Sequence, residues 1–100
     1  MEERMIPGTV SKLTERTVAS AATIEAKADI VYVTGSTQVN TILPGLGTAQ
    51  GQFLVLIPTD GAITLGTSGN ILVGIAAAQN RGVFLVFSKK LGKWLINSGV

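Results

Sequence analysis

The sequence predicts an all-β domain, either an antiparallel β-sandwich or a jelly-roll-like barrel. Apolar residues make up 46% of the 100 positions and charged residues only 14%, a balance that favours a packed core over disorder. The 12 glycines fall largely between short apolar runs, as expected of turns that connect strands. Within those runs the apolar positions either alternate or are continuous, and neither pattern is that of an amphipathic helix. A single domain of this length has a modest core, so we expect it to gain stability from a partner.

The first segment of the domain, TVASAATIEAKADI at residues 17–30, is rich in alanine. Its even positions hold both isoleucines, and its odd positions hold every charged side chain, Glu25, Lys27 and Asp29. A half-buried strand produces this split, whereas a helix would spread the charges over more than half of its circumference. The pattern predicts one strand, or two strands broken near Ala26. A short helix is the minor alternative, because alanine favours it.

Further strands are predicted along the rest of the chain. DIVYVTG and TQVNTILPG are β-branched, and they predict two strands, within residues 30–43, joined tightly at Gly35-Ser36. Three more segments of strand character follow, separated by turn signals: AITLG at 62–66, ILVGIAAA at 71–78 and KWLINS at 93–98.

Two segments are continuously apolar, QFLVLIP at 52–58 and VFLVFS at 83–88. Such sequences predict strands that are buried on both faces, and their phenylalanines are therefore predicted to be core residues. The two segments echo each other as GQFLVL and GVFLVF, which indicates two neighbouring central strands and not a duplicated domain.

The ends of the chain differ in character. We expect residues 1–14 to form an arm and residues 15–100 to form the β-sandwich domain. The charged start MEERM followed by Pro7-Gly8 is unlike a secretory signal, and the apolar run at 71–78 is far shorter than the roughly 20 residues that span a bilayer. These features predict a soluble protein with no membrane partner.

Net charge is +2 and is unevenly spread: residues 1–60 hold four basic and six acidic side chains, and residues 61–100 hold four basic side chains and no acid. A basic end can meet phosphate or an acidic protein surface. Lys89, Lys90 and Lys93, however, flank a predicted turn at Leu91-Gly92, where lysines commonly keep a sheet edge soluble. We therefore predict no nucleic-acid partner.

Catalytic and cofactor chemistry finds no support in the sequence. It has neither cysteine nor histidine, which removes disulfides, thiolate ligands and the commonest general base. Its six carboxylates form no spaced pair, and Asp60 precedes a glycine in a predicted turn. The glycine-rich loops at 45–51 and 66–74 lack the lysine-serine pair and the following helix of a phosphate loop. We predict that the protein is not an enzyme and that it has no metal site and no cofactor.

The order of several short motifs resembles a β-module of bacteriophage virion proteins, found in tailspike and tail-fibre chains and in head-fibre or capsid-decoration proteins. The resemblance covers residues 17–98 and is carried by Val33-Thr34-Gly35, Thr41-Ile42, the apolar segment at 51–57, Asp60-Gly61, Asn70-Ile71 and Trp94. In such modules an aromatic residue and an acid often follow the tryptophan, whereas Leu95-Ile96-Asn97 follow it here.

The resemblance implies a non-enzymatic, commonly trimeric building block of a phage particle. It predicts a virion structural protein, either a capsid decoration (cement) protein or a head-fibre protein, that binds the capsid surface as a homotrimer. Its partners would be further copies of itself and the major capsid protein or another virion protein. The protein would be made in the host cytoplasm and would lie on the capsid exterior. The arm would contact the capsid or another subunit through Ile6, Pro7, Val10 and Leu13.

The alternative function is that of a carbohydrate- or host-surface-binding β-module of a tail fibre or tailspike. Tyr32 and Trp94 have amphipathic rings that suit a rim or a subunit contact, and they are the candidate aromatics for a host-surface glycan. A cytoplasmic β-domain enzyme ranks last among the functions considered.

Overall fold

The described residues, 13–43 and 53–97 of a computed structural model, contain strands and turns and no helix. The all-β prediction is therefore confirmed for this part of the chain. The strands are β1 (Glu15–Ala19), β2 (Thr23–Glu25), β3 (Ile30–Thr34), β4 (Thr41–Leu43), β5 (Phe53–Pro58), β6 (Ile63–Leu65), β7 (Ile75–Ala77), β8 (Val83–Ser88) and β9 (Lys93–Asn97).

The strands form two layers around one core, an arrangement consistent with a β-sandwich. One layer is a five-stranded sheet with the order β1-β3-β5-β8-β9. The other consists of the pairs β2-β4 and β6-β7, which meet through a parallel bridge between Val39 and Leu65. The Val39 N–H donates to the Thr64 carbonyl at 3.0 Å, and the Gly66 N–H donates to the Val39 carbonyl at 2.8 Å. These bonds make the two short pairs nearly continuous.

The prediction of an antiparallel architecture is wrong for three strand pairs. β1-β3, β3-β5 and β2-β4 are parallel, while β5-β8, β8-β9 and β6-β7 are antiparallel. The cause is the path of the chain, which crosses to the other layer as β2 before it returns as β3, and again as β4 before it returns as β5. Each return enters the large sheet from the same end, so that neighbouring strands run in the same direction. A jelly roll is built from antiparallel Greek keys, and the parallel pairs do not belong to one.

The alanine-rich stretch at 17–30 is extended, as the period-two pattern predicts. It contributes to β1, β2 and the first residue of β3, with breaks at 20–22 and 26–29, so the single break predicted near Ala26 is too few. Alternation holds best from 23 to 28, where Ile24, Ala26 and Ala28 are buried and the residues between them are exposed. Ala26 and Ala28 are buried against the core between β2 and β3, where packing overrides their helix propensity, whereas Ala19 and Ala22 are exposed.

The segments predicted to be joined tightly at Gly35-Ser36 are β3 and β4, which lie in different layers and do not form a hairpin. Gly35 turns the chain with a positive φ of 77°, a conformation that favours glycine. Its N–H donates to the Asp60 carboxylate at 2.7 Å, so the Asp60-Gly61 turn holds this corner as well as its own.

The core lies between the two layers and draws on every strand but β1. Val18 of β1 packs against the core from the sheet edge. Trp94 and Leu85 are among the largest fully buried side chains. The fully or nearly fully buried apolar residues are Ile24, Ala26, Ala28, Val31, Val33, Val39, Ile42, Leu54, Leu56, Ile63, Leu65, Ile71, Ala77, Val83, Leu85 and Trp94.

Candidate interaction surface

The five-stranded sheet has a second apolar face, which points away from the core and is here called the outer face. Strand register places its side chains in rows, because positions that alternate with core residues share one side of a sheet. One row joins Ile30, Val55 and Phe84, and the next joins Phe53, Val86 and Leu95. The outer face consists of Ile30, Tyr32, Phe53, Val55, Ile57, Phe84, Val86 and Leu95.

The prediction that β5 and β8 are buried on both faces is wrong, because only their inward residues are covered. In β5, Leu54 and Leu56 are fully buried, whereas Phe53 is 49% exposed. In β8, Leu85 is fully buried, whereas Phe84 is 46% exposed and Val86 is 41% exposed. Two of the three phenylalanines predicted to be core residues therefore lie on the surface. No other layer among the described residues covers this face.

The two exposed phenylalanines form the centre of the outer face. The rings of Phe53 and Phe84 meet edge to face, with centroids 5.6 Å apart and an angle of 74° between their planes. Gly82 lies just before β8, and a Cβ there would meet the Val55 side chain at 3.1 Å. The absence of a side chain at Gly82 lets the neighbouring apolar groups approach, so the centre is a continuous apolar surface.

Charged side chains on this side of the sheet are confined to its margins. Glu15 lies on edge strand β1, and Lys93 begins edge strand β9. The Tyr32 hydroxyl donates to the Glu15 carboxylate at 3.1 Å. That hydrogen bond, followed by the negative charge of Glu15 and by slight desolvation, raises the pKa of Tyr32 above its usual value of 10.0. The phenol is therefore held neutral and oriented toward the β1 margin.

Trp94 is fully buried, so the prediction that it is a surface-binding aromatic is wrong. Its indole N–H donates to the Ile42 carbonyl at 2.8 Å and its ring meets Phe87 edge to face at 5.3 Å. A buried indole N–H needs an acceptor, and the middle residue of β4 supplies one. Trp94 thereby joins the large sheet to the opposite layer. Tyr32 is the one of the two candidate rings that reaches the surface, where it is half-buried.

Asn70, which lies in the glycine-rich loop at 66–74, has a structural role that its sequence did not indicate. Its side chain accepts from the Ile42 N–H at 2.9 Å and donates to the Ile42 carbonyl at 2.7 Å, so it pairs with β4 as a neighbouring strand would. Its backbone carbonyl accepts from the Trp94 N–H at 2.7 Å. The Asn70-Ile71 pair thus links β4 to β9.

Of the four predicted contact residues of the arm, one lies within the described residues. Ile6, Pro7 and Val10 lie outside the described residues. Leu13 is described, and 61% of its surface is exposed. The next residue is already tied to the fold, because the Thr14 N–H donates to the Asp29 carboxylate at 3.0 Å and its carbonyl accepts from the Ile30 N–H at 3.0 Å.

The basic residues of the second half form no common site. Lys89 and Lys90 lie exposed in the β8-β9 turn, which closes through a bond of 2.7 Å from the Gly92 N–H to the Ser88 carbonyl, as predicted for a solvated turn. Lys93 lies apart from them and donates to the Gly69 carbonyl at 3.3 Å.

Three further features bear on chemistry. Over residues 13–43 and 53–97, no group of three or more His, Cys, Asp or Glu side chains could hold a metal ion. The same ranges contain no helix with the length and apolar character needed to cross a membrane. An open depression of about 240 Å³ is lined by β7 and the start of β8, and Arg81 is the one charged residue in its lining.

Comparison of the chain with models of protein families, with curated proteins and with solved structures finds no match.

Proposed function

We propose that this protein is a structural component of a phage virion, a capsid decoration or head-fibre protein that binds the capsid surface as a homotrimer. The order of its strand and turn motifs supports the proposal through the resemblance described above. The structure adds a small all-β domain in which one face of the five-stranded sheet is apolar and uncovered.

The observation that carries the proposal is the outer face. Its residues lie on four neighbouring strands, which span about 14 Å at the usual spacing, and five residues along a strand extend about 17 Å, so the face covers roughly 240 Å² in projection. The largest apolar patch on a soluble protein is commonly a few hundred Å² in area and is often functional. An uncovered apolar face of this kind can be buried against a neighbouring subunit, which is what the assembly of a shell component requires.

The alternative function, glycan or host-surface binding, has less support. It relied on two exposed rings, and Trp94 is instead buried beneath β4. Tyr32 keeps a hydroxyl that is already bonded to Glu15, so one half-buried ring remains for stacking on a sugar.

Capsid binding can be tested with the purified full-length chain and capsids of its own phage that lack this protein. After sedimentation through a density gradient, we expect the chain to move with the capsids in a saturable ratio. Capsids that already carry the protein are the control and should take up no more. A chain that stays at the top of the gradient at every concentration would refute capsid decoration, and a chain that instead binds immobilised glycans would favour the alternative.

A further inference from the structure

We propose that the free edge of β7 binds an extended segment of another protein, which carries a carboxylate and joins the sheet as an added strand. The site is separate from the outer face, and it requires neither capsid binding nor association between copies of the chain. It consists of the edge of β7, the depression beside that edge, and Arg81.

The hydrogen bonds of the neighbouring strand show which groups of β7 are unpaired. The Thr64 carbonyl and the Gly66 N–H both bond to Val39, so Thr64 directs its backbone groups away from β7. Thr64 lies opposite Ala76, and successive residues of a strand direct their backbone groups to opposite sides. The Ala76 N–H and carbonyl therefore point away from β6, to a side of β7 where the described residues contain no further strand.

The other outermost strands in the described part of the chain are either covered or charged. The outer edge of β9 is hydrogen-bonded to residues 70–72. β1 carries Glu15 and Arg16, and β2 ends at a glutamate that pairs with Lys27 at 3.4 Å. Covering segments and charged side chains are devices that keep a strand edge from pairing with other chains. β7, with the sequence IAA, has neither, so its edge is open to a strand.

The surface beside this edge has room for an added strand. The depression of about 240 Å³ lies along β7 and reaches the start of β8. Ala76, Ala78 and Gly82 line it, and all three are small and exposed. A backbone can therefore approach the edge, while every second side chain of the added strand faces the depression. Strand addition of this kind obtains its affinity from main-chain hydrogen bonds and its specificity from the pockets that receive alternate side chains.

Arg81 determines the charge of the segment that fits. It is exposed, and it is the one charged residue in the lining of the depression. No carboxylate of the described residues pairs with it, and residues 61–100 contain no acid. A carboxylate on the added strand supplies the opposite charge, whereas a lysine or arginine in the same place would be repelled.

A synthetic peptide can test the site. The probe alternates valine and threonine around one central glutamate and is blocked at both ends. We expect it to shift the amide resonances of Ala76 and Ala78 in the isotope-labelled full-length chain, with saturation in the millimolar range because the edge is only three residues long. The same peptide with glutamine in place of glutamate should bind about 5-fold more weakly, since it lacks the ion pair with Arg81.

Two variants separate the backbone from the charge. Ala76→Pro removes the N–H at the free edge and should abolish the shifts, and proline is tolerated on edge strands where the N–H faces solvent. Arg81→Glu should reverse the preference, so that a peptide with a central lysine binds more tightly than the glutamate peptide. Lys90→Glu is the matched control, because Lys90 is exposed in the β8-β9 turn, and it should bind each peptide as wild type does. Far-ultraviolet circular dichroism checks that each variant is folded.

Three results would each overturn the proposal. They are shifts confined to the outer face, no saturable shift up to the solubility limit of the peptide, and an unchanged preference in folded Arg81→Glu. The last result does not depend on whether Ala76→Pro folds, because Arg81→Glu leaves the backbone of β7 intact. Capsid binding is measured on the full-length chain without the peptide, so either proposal can fail while the other stands.

Discussion

Trp94 and Asn70 donate to the same backbone oxygen. Removing both donors should therefore lower the free energy of unfolding by more than the sum of the two single losses. The Ile42 carbonyl accepts from the Trp94 indole at 2.8 Å and from the Asn70 amide at 2.7 Å. Either donor alone keeps this oxygen satisfied. A buried polar group that loses its last partner carries the full cost of desolvation, so the two sites are coupled.

The single costs follow from the contacts. Trp94→Phe loses one hydrogen bond and part of a fully buried ring, and it should lower the free energy of unfolding by about 2–3 kcal/mol. Asn70→Ala leaves the Ile42 N–H without its acceptor, which should cost about 1–3 kcal/mol. In the double variant the Ile42 carbonyl loses both donors, which should add about 1–2 kcal/mol beyond the sum.

Urea unfolding followed by far-ultraviolet circular dichroism measures these values, because the variants that lack Trp94 have no tryptophan to report by fluorescence. All proteins are compared at one concentration, since association would shift the apparent stability. Gln79→Ala is the control, because its exposed amide donates to one carbonyl and should matter by less than about 0.5 kcal/mol. Single costs that add within about 0.5 kcal/mol would refute the shared-acceptor reasoning.

Three other predictions concern the outer face and the turns. Glu15→Gln should lower the raised pKa of Tyr32 toward its usual value. The neutral phenol contributes stability that is present in full below the pKa of the unfolded state and is lost as pH rises through the pKa of the folded state, so in the variant this loss should occur at a lower pH. Ultraviolet titration of the one tyrosine measures the pKa, and an unchanged midpoint would contradict the prediction. Gly35→Ala should lower the free energy of unfolding by about 1–2 kcal/mol, because φ at Gly35 is 77° and the new Cβ would lie 2.7 Å from a serine hydroxyl. Gly61→Ala is the control in the same urea assay, because Gly61 has open space and no positive φ, and its free energy of unfolding should stay within about 0.5 kcal/mol of wild type. Asp60→Ala removes the carboxylate that accepts from the Gly35 N–H and should lower the free energy of unfolding by about 1 kcal/mol. A melting temperature equal to that of wild type would contradict this and would show that water replaces the carboxylate.

The alternation of side chains was enough to predict strands, because one sheet face must be apolar wherever a core forms. VFLVFS and AITLG lie on β8 and β6 nearly residue for residue, and the echo between β5 and β8 correctly indicated neighbouring strands. Strand direction was beyond this reasoning. Parallel and antiparallel strands show the same alternation, and the difference lies in whether a connection crosses to the other layer.

The error at Trp94 has a local cause. Amphipathic rings are common at rims, but Trp94 alternates with Lys93 on β9, and the cross-strand partner of Trp94 is Phe87. Alternation from Lys93 was therefore a signal that Trp94 points inward. Asn70 gave no such signal, because an asparagine in a glycine turn has the same sequence whether its amide faces water or the edge of a strand.

The continuous apolar sequence of β5 and β8 remains to be explained by the molecule as a whole. An apolar sequence indicates that side chains are covered in the functional protein, but it does not indicate whether the same chain or another chain covers them. Within one chain the inward residues are buried by the second layer, while Phe53, Phe84 and Val86 stay between 41% and 49% exposed. Continuously apolar strands are typical of sheets that are covered on both faces. In the proposed virion assembly a neighbouring subunit would provide the missing layer, and the strands predicted to be buried on both faces would then become so.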